Sequence, residues 1–127
     1  DPYSTRAEAT LKAVRDKLLM RSGITGVARY EADYYCRQVE DQPGNPWIIC
    51  TMWLAQVLLL RAKTKDDLAE PAGWLQWVCD RATNSGILAE QYHPHTGAPL
   101  SVSPLTWSHA EFIRTVCLYQ AISQKLG

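Results

Sequence analysis

The chain has 127 residues, 46% of them hydrophobic and 20% charged, the make-up of one ordinary globular unit rather than a disordered or fibrous one. Thirteen basic side chains balance thirteen acidic ones, so there is no electrostatic footprint for nucleic acid or for an anionic membrane surface, and binding must come from a shaped site. The first twenty residues mix charges without an apolar core, unlike a signal peptide, and the run WIICTMWLAQVLLL (47–60) is too short and too interrupted to span a bilayer.

STRAEATLKAVRDKLLM (4–20) repeats apolar residues at Ala7, Leu11, Val14 and Leu18, which predicts an amphipathic helix, and Thr5 with Glu8 has capping-box spacing. A second helix is expected from Asn45 as N-cap and Pro46 at the first helical position through Leu60, apolar nearly all round and therefore surrounded by neighbours. A third runs from about Asp66 to Ala82, with Leu68, Leu75, Val78 and Ala82 on one side. Pro71 must kink it or mark its true start. The fourth spans about Trp107 to Lys125, with Ile113, Val116, Cys117 and Ile122 facing inward and a capping-box spacing at Ser108 and Glu111. No stretch alternates as a strand would, so the predicted class is all-α.

The helices alternate amphipathic and apolar, outer and inner, twice. The link near Lys63 to Lys65 is short, which argues for antiparallel neighbours, whereas residues 21–44 and 84–106 form two long links. In an up-and-down series both long links emerge at the same end, and long loops without secondary structure are usually functional. They hold Arg29, Tyr30, Glu31, Asp33, Tyr34, Tyr35, Glu90, Gln91 and Tyr92, with Trp47 and Trp107 at the helix junctions. Aromatic rings beside carboxylates and an arginine suit a sugar, whose apolar faces stack while its hydroxyls are hydrogen-bonded.

The four cysteines, Cys36, Cys50, Cys79 and Cys117, have no zinc or disulfide spacing and read as buried free thiols, which points to a reducing compartment and a cytoplasmic location. His93, His95 and His109 with Cys36 lack the spacing of a ligand set, so neither a metal nor a cofactor is expected.

Three motifs in order, GVARYEADYY, GNPWIICTMWLA and GILAEQYHPHTGAPLSVSPLTWSHAEFIR, resemble the C-terminal part of the catalytic domain of glycoside hydrolase family 15, the glucoamylases, glucodextranases and related bacterial and archaeal α-glucosidases and trehalases. The resemblance covers about residues 23 to 122. It implies an (α/α)6 barrel, of which four helices are about a third, so residues 1–127 are expected to be a single segment, the C-terminal part of such a domain, with the N-terminal remainder as its partner.

It also implies inverting hydrolysis of α-glucosidic bonds in oligo- or polysaccharides, by an acid and a base set far enough apart to admit water. The glutamate of L-x-E-Q is the family's base and corresponds to Glu90; the acid is expected upstream of residue 1, which leaves this segment nearly inert alone. Arg29 corresponds to a residue bonding glucose hydroxyls, Asp33 to an acid that holds that loop, and Trp47 to a tryptophan flanking the leaving-group sugar. Tyr30, Tyr35 and Trp107 are wall candidates, with Trp107 beside Glu90.

Two departures from the fungal pattern, Glu31 with Ala32 after the R-Y pair and the longer CRQVEDQP link, bear on the choice among starch-type oligosaccharides, isomaltosides and trehalose. The rival reading is a noncatalytic helical module that binds a protein through the sides of the second helix. A lone module would be monomeric, whereas a severed barrel piece would self-associate or need its other half.

Overall fold

The computed structural model describes residues 1–127. Its elements are α1 (Thr5–Lys17), α2 (Ile48–Arg61), a 3-10 turn (Asp66–Leu68), α3 (Ala69–Cys79), the two-residue strands β1 (Gln91–Tyr92) and β2 (Pro99–Leu100), and α4 (Thr106–Lys125). The strands pair antiparallel, a small correction to the strand-free expectation. No helix is long and apolar enough to cross a membrane.

Capping chemistry places the helix starts, with three corrections. Ser4, not Thr5, caps α1, its hydroxyl accepting from the Ala7 amide at 3.2 Å. Helix α2 begins two residues after Pro46, because the Pro46 carbonyl accepts from the Tyr92 amide (3.1 Å) and the Trp47 amide donates to the Val27 carbonyl (3.0 Å), which holds these residues extended. Ser108 and Glu111 form no capping box, since both side chains reach across to other elements. Pro71 lies in the first turn of α3, where its missing N–H breaks no helical bond, so it marks the start rather than a kink.

Helix α2 is the axis, packed against both α3 and α4. One core joins Ile48, Met52 and Ala55 of α2 to Trp77 and Val78 of α3 and to Leu88, Ala89 and Tyr92 of the second long loop. Each such side chain contributes about 1.5–3 kcal/mol on burial. A second core groups Val27, Trp47, Ile49, Cys50 and Leu54, and Leu11 and Val14 of α1 with Leu18 just after it cover it only in part. No residue of α1 is buried.

The fully buried side chains of α4 are polar, which corrects the expected apolar stripe: Ser108, Glu111 and Thr115 are buried, Val116 and Ile122 are only partly so, and Ile113 (61%) and Cys117 are exposed. The reason is hydrogen bonding. Gln56 of α2 donates to Glu111 Oε2 (2.7 Å) and to the Thr115 hydroxyl (2.9 Å), and Ser108 donates to the Ala89 carbonyl (2.9 Å). The thiols are all free, but only Cys50 is buried, and burial pushes its thiol up to about 12; Cys36, Cys79 and Cys117 are exposed, contrary to expectation.

Candidate active site

The two long loops meet on one face, as the up-and-down reading required. Their meeting is a ribbon of backbone pairings. The Ala28 amide donates to the Leu18 carbonyl (3.0 Å), the Trp47 amide to Val27, the Ile48 amide to the Glu90 carbonyl (3.3 Å), and the Glu90 amide to the Val102 carbonyl (2.9 Å). Trp47 and Gln91 face each other in an isolated antiparallel bridge. Glu90 thus sits on backbone fixed from both sides, next to the buried Leu88, Ala89, Gln91 and Tyr92. Only its side chain is left half-buried and open.

Gly26 makes the crossing tight. Its φ is +101°, and a Cβ there would lie 2.7 Å from Trp77 Cζ2 and 2.8 Å from Pro46 Cβ. Trp77 in turn donates its indole N–H to the Ile24 carbonyl (2.7 Å) and packs edge-on against Tyr92.

Glu90 receives one side-chain bond, from Gln91 Nε2 to Oε2 at 3.0 Å. Gln91, fully buried, accepts from Asn45 Nδ2 at 2.9 Å, and the same Asn45 nitrogen donates to the Cys36 carbonyl at 2.8 Å. Sequence alone assigns Asn45 only a helix cap and Gln91 only a place in the loop. Asn45 before a proline reads locally as a cap, and the partner it holds is 46 residues away.

Arg29 lies over the Trp47 ring at 4.4 Å from its centroid, with the Tyr30 and Tyr35 rings at 4.8 and 5.4 Å. Its Nε and Nη2 make a two-pronged pair with Asp33, both contacts 3.0 Å, and Nη2 also donates to the Tyr30 hydroxyl (3.2 Å). The Asp33 bond holds the guanidinium pKa above its ordinary value. Asp33 is 1% exposed and also accepts from the Tyr35 amide, which ties it to its own loop. Glu31 turns away to Lys17. Ala32, at φ 56°, provides the left-handed turn that returns Asp33 to Arg29.

Tyr30 and Tyr35 are about half exposed, and the Tyr35 hydroxyl bonds Ser101, the neighbour of the Val102 that pairs with Glu90. The arginine wall and the carboxylate are therefore tied through Trp47 beneath and Tyr35 above. Trp47 itself is 4% exposed under Arg29 and Tyr35, so it is a floor and not an open sugar-flanking ring. Its indole nitrogen and Asn45 Oδ1 are buried without a protein partner. Trp107 is half exposed; its ring packs edge-on against Trp53 at 5.8 Å and its indole N–H donates to Glu111.

The histidines serve locally. His109 Nε2 accepts from the Leu88 amide (3.0 Å), His93 Nδ1 from the amides of His95 and Thr96, and His95 faces Asp41. They do not converge with Cys36, and no group of three or more potential metal ligands occurs.

Residues 69–117 match the family model described as glycosyl hydrolases family 15. An uncharacterized glycosyl hydrolase of Methanocaldococcus jannaschii is 35% identical over 116 residues, a match that takes in 84% of this chain and 17% of that protein. The fold superposes on 28% of the glucoamylase of Hormoconis resinae (TM-score 0.73, 20% identity, 96% of this chain) and on 18% of a bacterial glucoamylase complexed with acarbose (TM-score 0.75, 22% identity, 97% of this chain). The family 15 glucoamylase of Hypocrea jecorina gives a TM-score of 0.68 at 23% identity, over 96% of this chain and 28% of that one.

The architecture is therefore all-α and part of an (α/α)6 barrel. By sequence, residues 69–117 resemble glycosyl hydrolase family 15, and the chain spans about a sixth of the length of the archaeal relative it matches.

Proposed function

We propose that the chain carries the general-base half of a glycoside hydrolase site that cleaves α-glucosidic bonds with inversion. The observation that carries this reading is Glu90: a half-open carboxylate on backbone paired from both sides, supported by a buried amide and tied to a wall of arginine and tyrosine rings. A base of this kind must be held still, because misplacement by about 1 Å costs on the order of 10²-fold in rate.

In the proposed reaction Glu90 accepts a proton from water as the water attacks the anomeric carbon, while the bond to the leaving oxygen breaks. A separate carboxylic acid protonates that oxygen. Such an acid stands roughly 6.5–9.5 Å from the base in inverting enzymes, and in this reading it comes from polypeptide outside residues 1–127. Oxygen acceptors of Asp33 are taken up by Arg29, so Asp33 holds the wall, and Arg29 Nη1, with no protein acceptor, is left to bond a glucose hydroxyl. Tyr30 and Tyr35 supply exposed ring faces.

An apolar groove of about 500 Å³ between α1 and α2, lined by Leu11, Val14, Leu18, Trp53, Leu54 and Val57, supports the same reading. In a closed barrel such faces are covered by further helices. The rival, a noncatalytic interaction module, would use that groove for another protein and leave Glu90 idle.

The test is glucose release from maltotriose, isomaltose and trehalose by the chain alone and by the chain assembled with the rest of its catalytic domain, each beside a Glu90→Gln version. The reading expects release only from the assembled parent, at a rate at least about 10²-fold above the Glu90→Gln version. Equal rates in the two versions would shift the assignment to another residue, and silence in every arm would favour the interaction module.

A further inference from the structure

We infer that Asn45 is a positioning residue for Glu90: it sets the donor sense of a buried amide relay, so that an N–H and not a carbonyl faces the carboxylate. The inference rests on the reading of Glu90 as the base.

The argument starts at the Cys36 carbonyl, a group that can only accept. Gln38 Nε2 donates to it at 2.7 Å and Asn45 Nδ2 at 2.8 Å. This fixes which end of the Asn45 amide points there. The second hydrogen of the same NH2 group is then directed at Gln91 Oε1, 2.9 Å away. With its oxygen engaged, Gln91 presents Nε2 to Glu90 Oε2 at 3.0 Å. Each link determines the sense of the next.

Turning Gln91 over would set its oxygen against the carboxylate and its NH2 against the NH2 of Asn45. Asn45 is 1% exposed and Gln91 0%, so bulk water does not stand in for a lost partner, and an unsatisfied buried amide costs about 1–3 kcal/mol. The backbone of Asn45 is itself closely packed on both sides. Gly44 precedes it where a Cβ would sit 3.0 Å from Asp33 Cβ, and Pro46 follows it with its carbonyl held by Tyr92. The relay therefore leaves Glu90 Oε1, which takes no protein hydrogen bond, as the oxygen that meets water.

The test uses the 15N-labelled chain and follows the side-chain amide resonances of Gln91 and Asn45 as pH is lowered. In the parent, the Gln91 Nε2 resonance steps when Glu90 takes a proton, and Glu90→Gln abolishes the step. In Asn45→Ala the step falls to less than half, because Gln91 is released to turn, while backbone amides across α2 and α3 keep their positions. Should Asn45→Ala fail to fold, the parent alone decides: Asn45 Nδ2 follows the same step with smaller amplitude, as expected of amides polarised in series.

An Asn45→Ala chain that keeps the whole step, or a parent in which Gln91 or Asn45 ignores the protonation of Glu90, overturns the relay. Failure of the reading of Glu90 as base looks different. There the resonances behave as described, but glucose release by the assembled catalytic domain is the same with and without Glu90→Gln.

Discussion

The crossing of residues 45–48 with residues 88–92 and the flank formed by α1 both border the second core, but on opposite terms. At the crossing, apolar side chains are buried on two sides and the backbone amides of Trp47, Ile48, Glu90 and Tyr92 all find carbonyls. Along α1 no residue is buried; Leu11, Val14 and Leu18 line an open groove, and the flank is tied down by surface ion pairs such as Arg15 with Glu70 and Arg61 with Glu8. Exposed pairs of this kind are worth only about 0–1 kcal/mol each. The part that carries the carboxylate is packed from both sides, and the part beside the groove is left open.

Mutations at the two places should separate them sharply. Trp77→Ala, which removes a 7% exposed ring packed on Tyr92, Trp74 and Gly26, is expected to cost about 3–5 kcal/mol in urea unfolding. Leu11→Ala in the isolated chain is expected to cost less than about 1 kcal/mol, since little area is lost. Comparable losses would break the contrast. Gly26→Ala should fall between them, at about 2 kcal/mol, from a left-handed backbone plus the clash with Trp77 and Pro46, and its Trp77 fluorescence should move with it.

A smaller effect has the opposite sign. Ala32→Gly relieves a left-handed alanine at φ 56° and is expected to leave the chain as stable as the parent or up to about 1 kcal/mol more so, seen as a higher urea midpoint. The smallest effect concerns the turn before α3. Asp67 accepts from the amides of Lys63 and Thr64 and from the Thr64 hydroxyl, and these bonds, the Lys63 amide first, hold its carboxyl below its ordinary value of 3.8. A depressed carboxyl stabilises the fold above its unfolded value and loses that contribution as pH falls through the folded one. The parent should therefore lose more stability below about pH 4 than Asp67→Asn does, measured as thermal midpoints across pH 2–6.

The helices were legible because their apolar periods are local, and so was the gathering of both long loops on one face, which follows from counting antiparallel elements. What was misread depended on partners far along the chain. Asn45 followed by Pro46 has the composition of a helix start, but Gln91 claims the asparagine and Tyr92 the proline carbonyl. In α4 Ile113 and Cys117 lie on the face opposite Ser108, Glu111 and Thr115, and Gln56 on α2 together with the Ala89 carbonyl meets the polar set on the inward side.

Of the residues named from the motifs, Arg29, Asp33, Tyr30 and Tyr35 are joined by hydrogen bonds and ring contacts, and Glu90 is tied to Tyr35 through the Ser101–Val102 segment. Trp47 is buried under Arg29 and Tyr35, and the Trp107 ring packs against Trp53. Two-residue strands have no period to read, so β1 and β2 left no trace in the pattern.

The most direct test of the account uses α-glucosyl fluoride, whose leaving group needs little help from an acid, with the assembled catalytic domain carrying Glu90→Ala and with azide added. If Glu90 is the base, the variant releases fluoride at least about 10²-fold more slowly than the parent, azide restores the rate, and the product is β-glucosyl azide. Fluoride release unchanged by Glu90→Ala, or an α-configured azide, would contradict it.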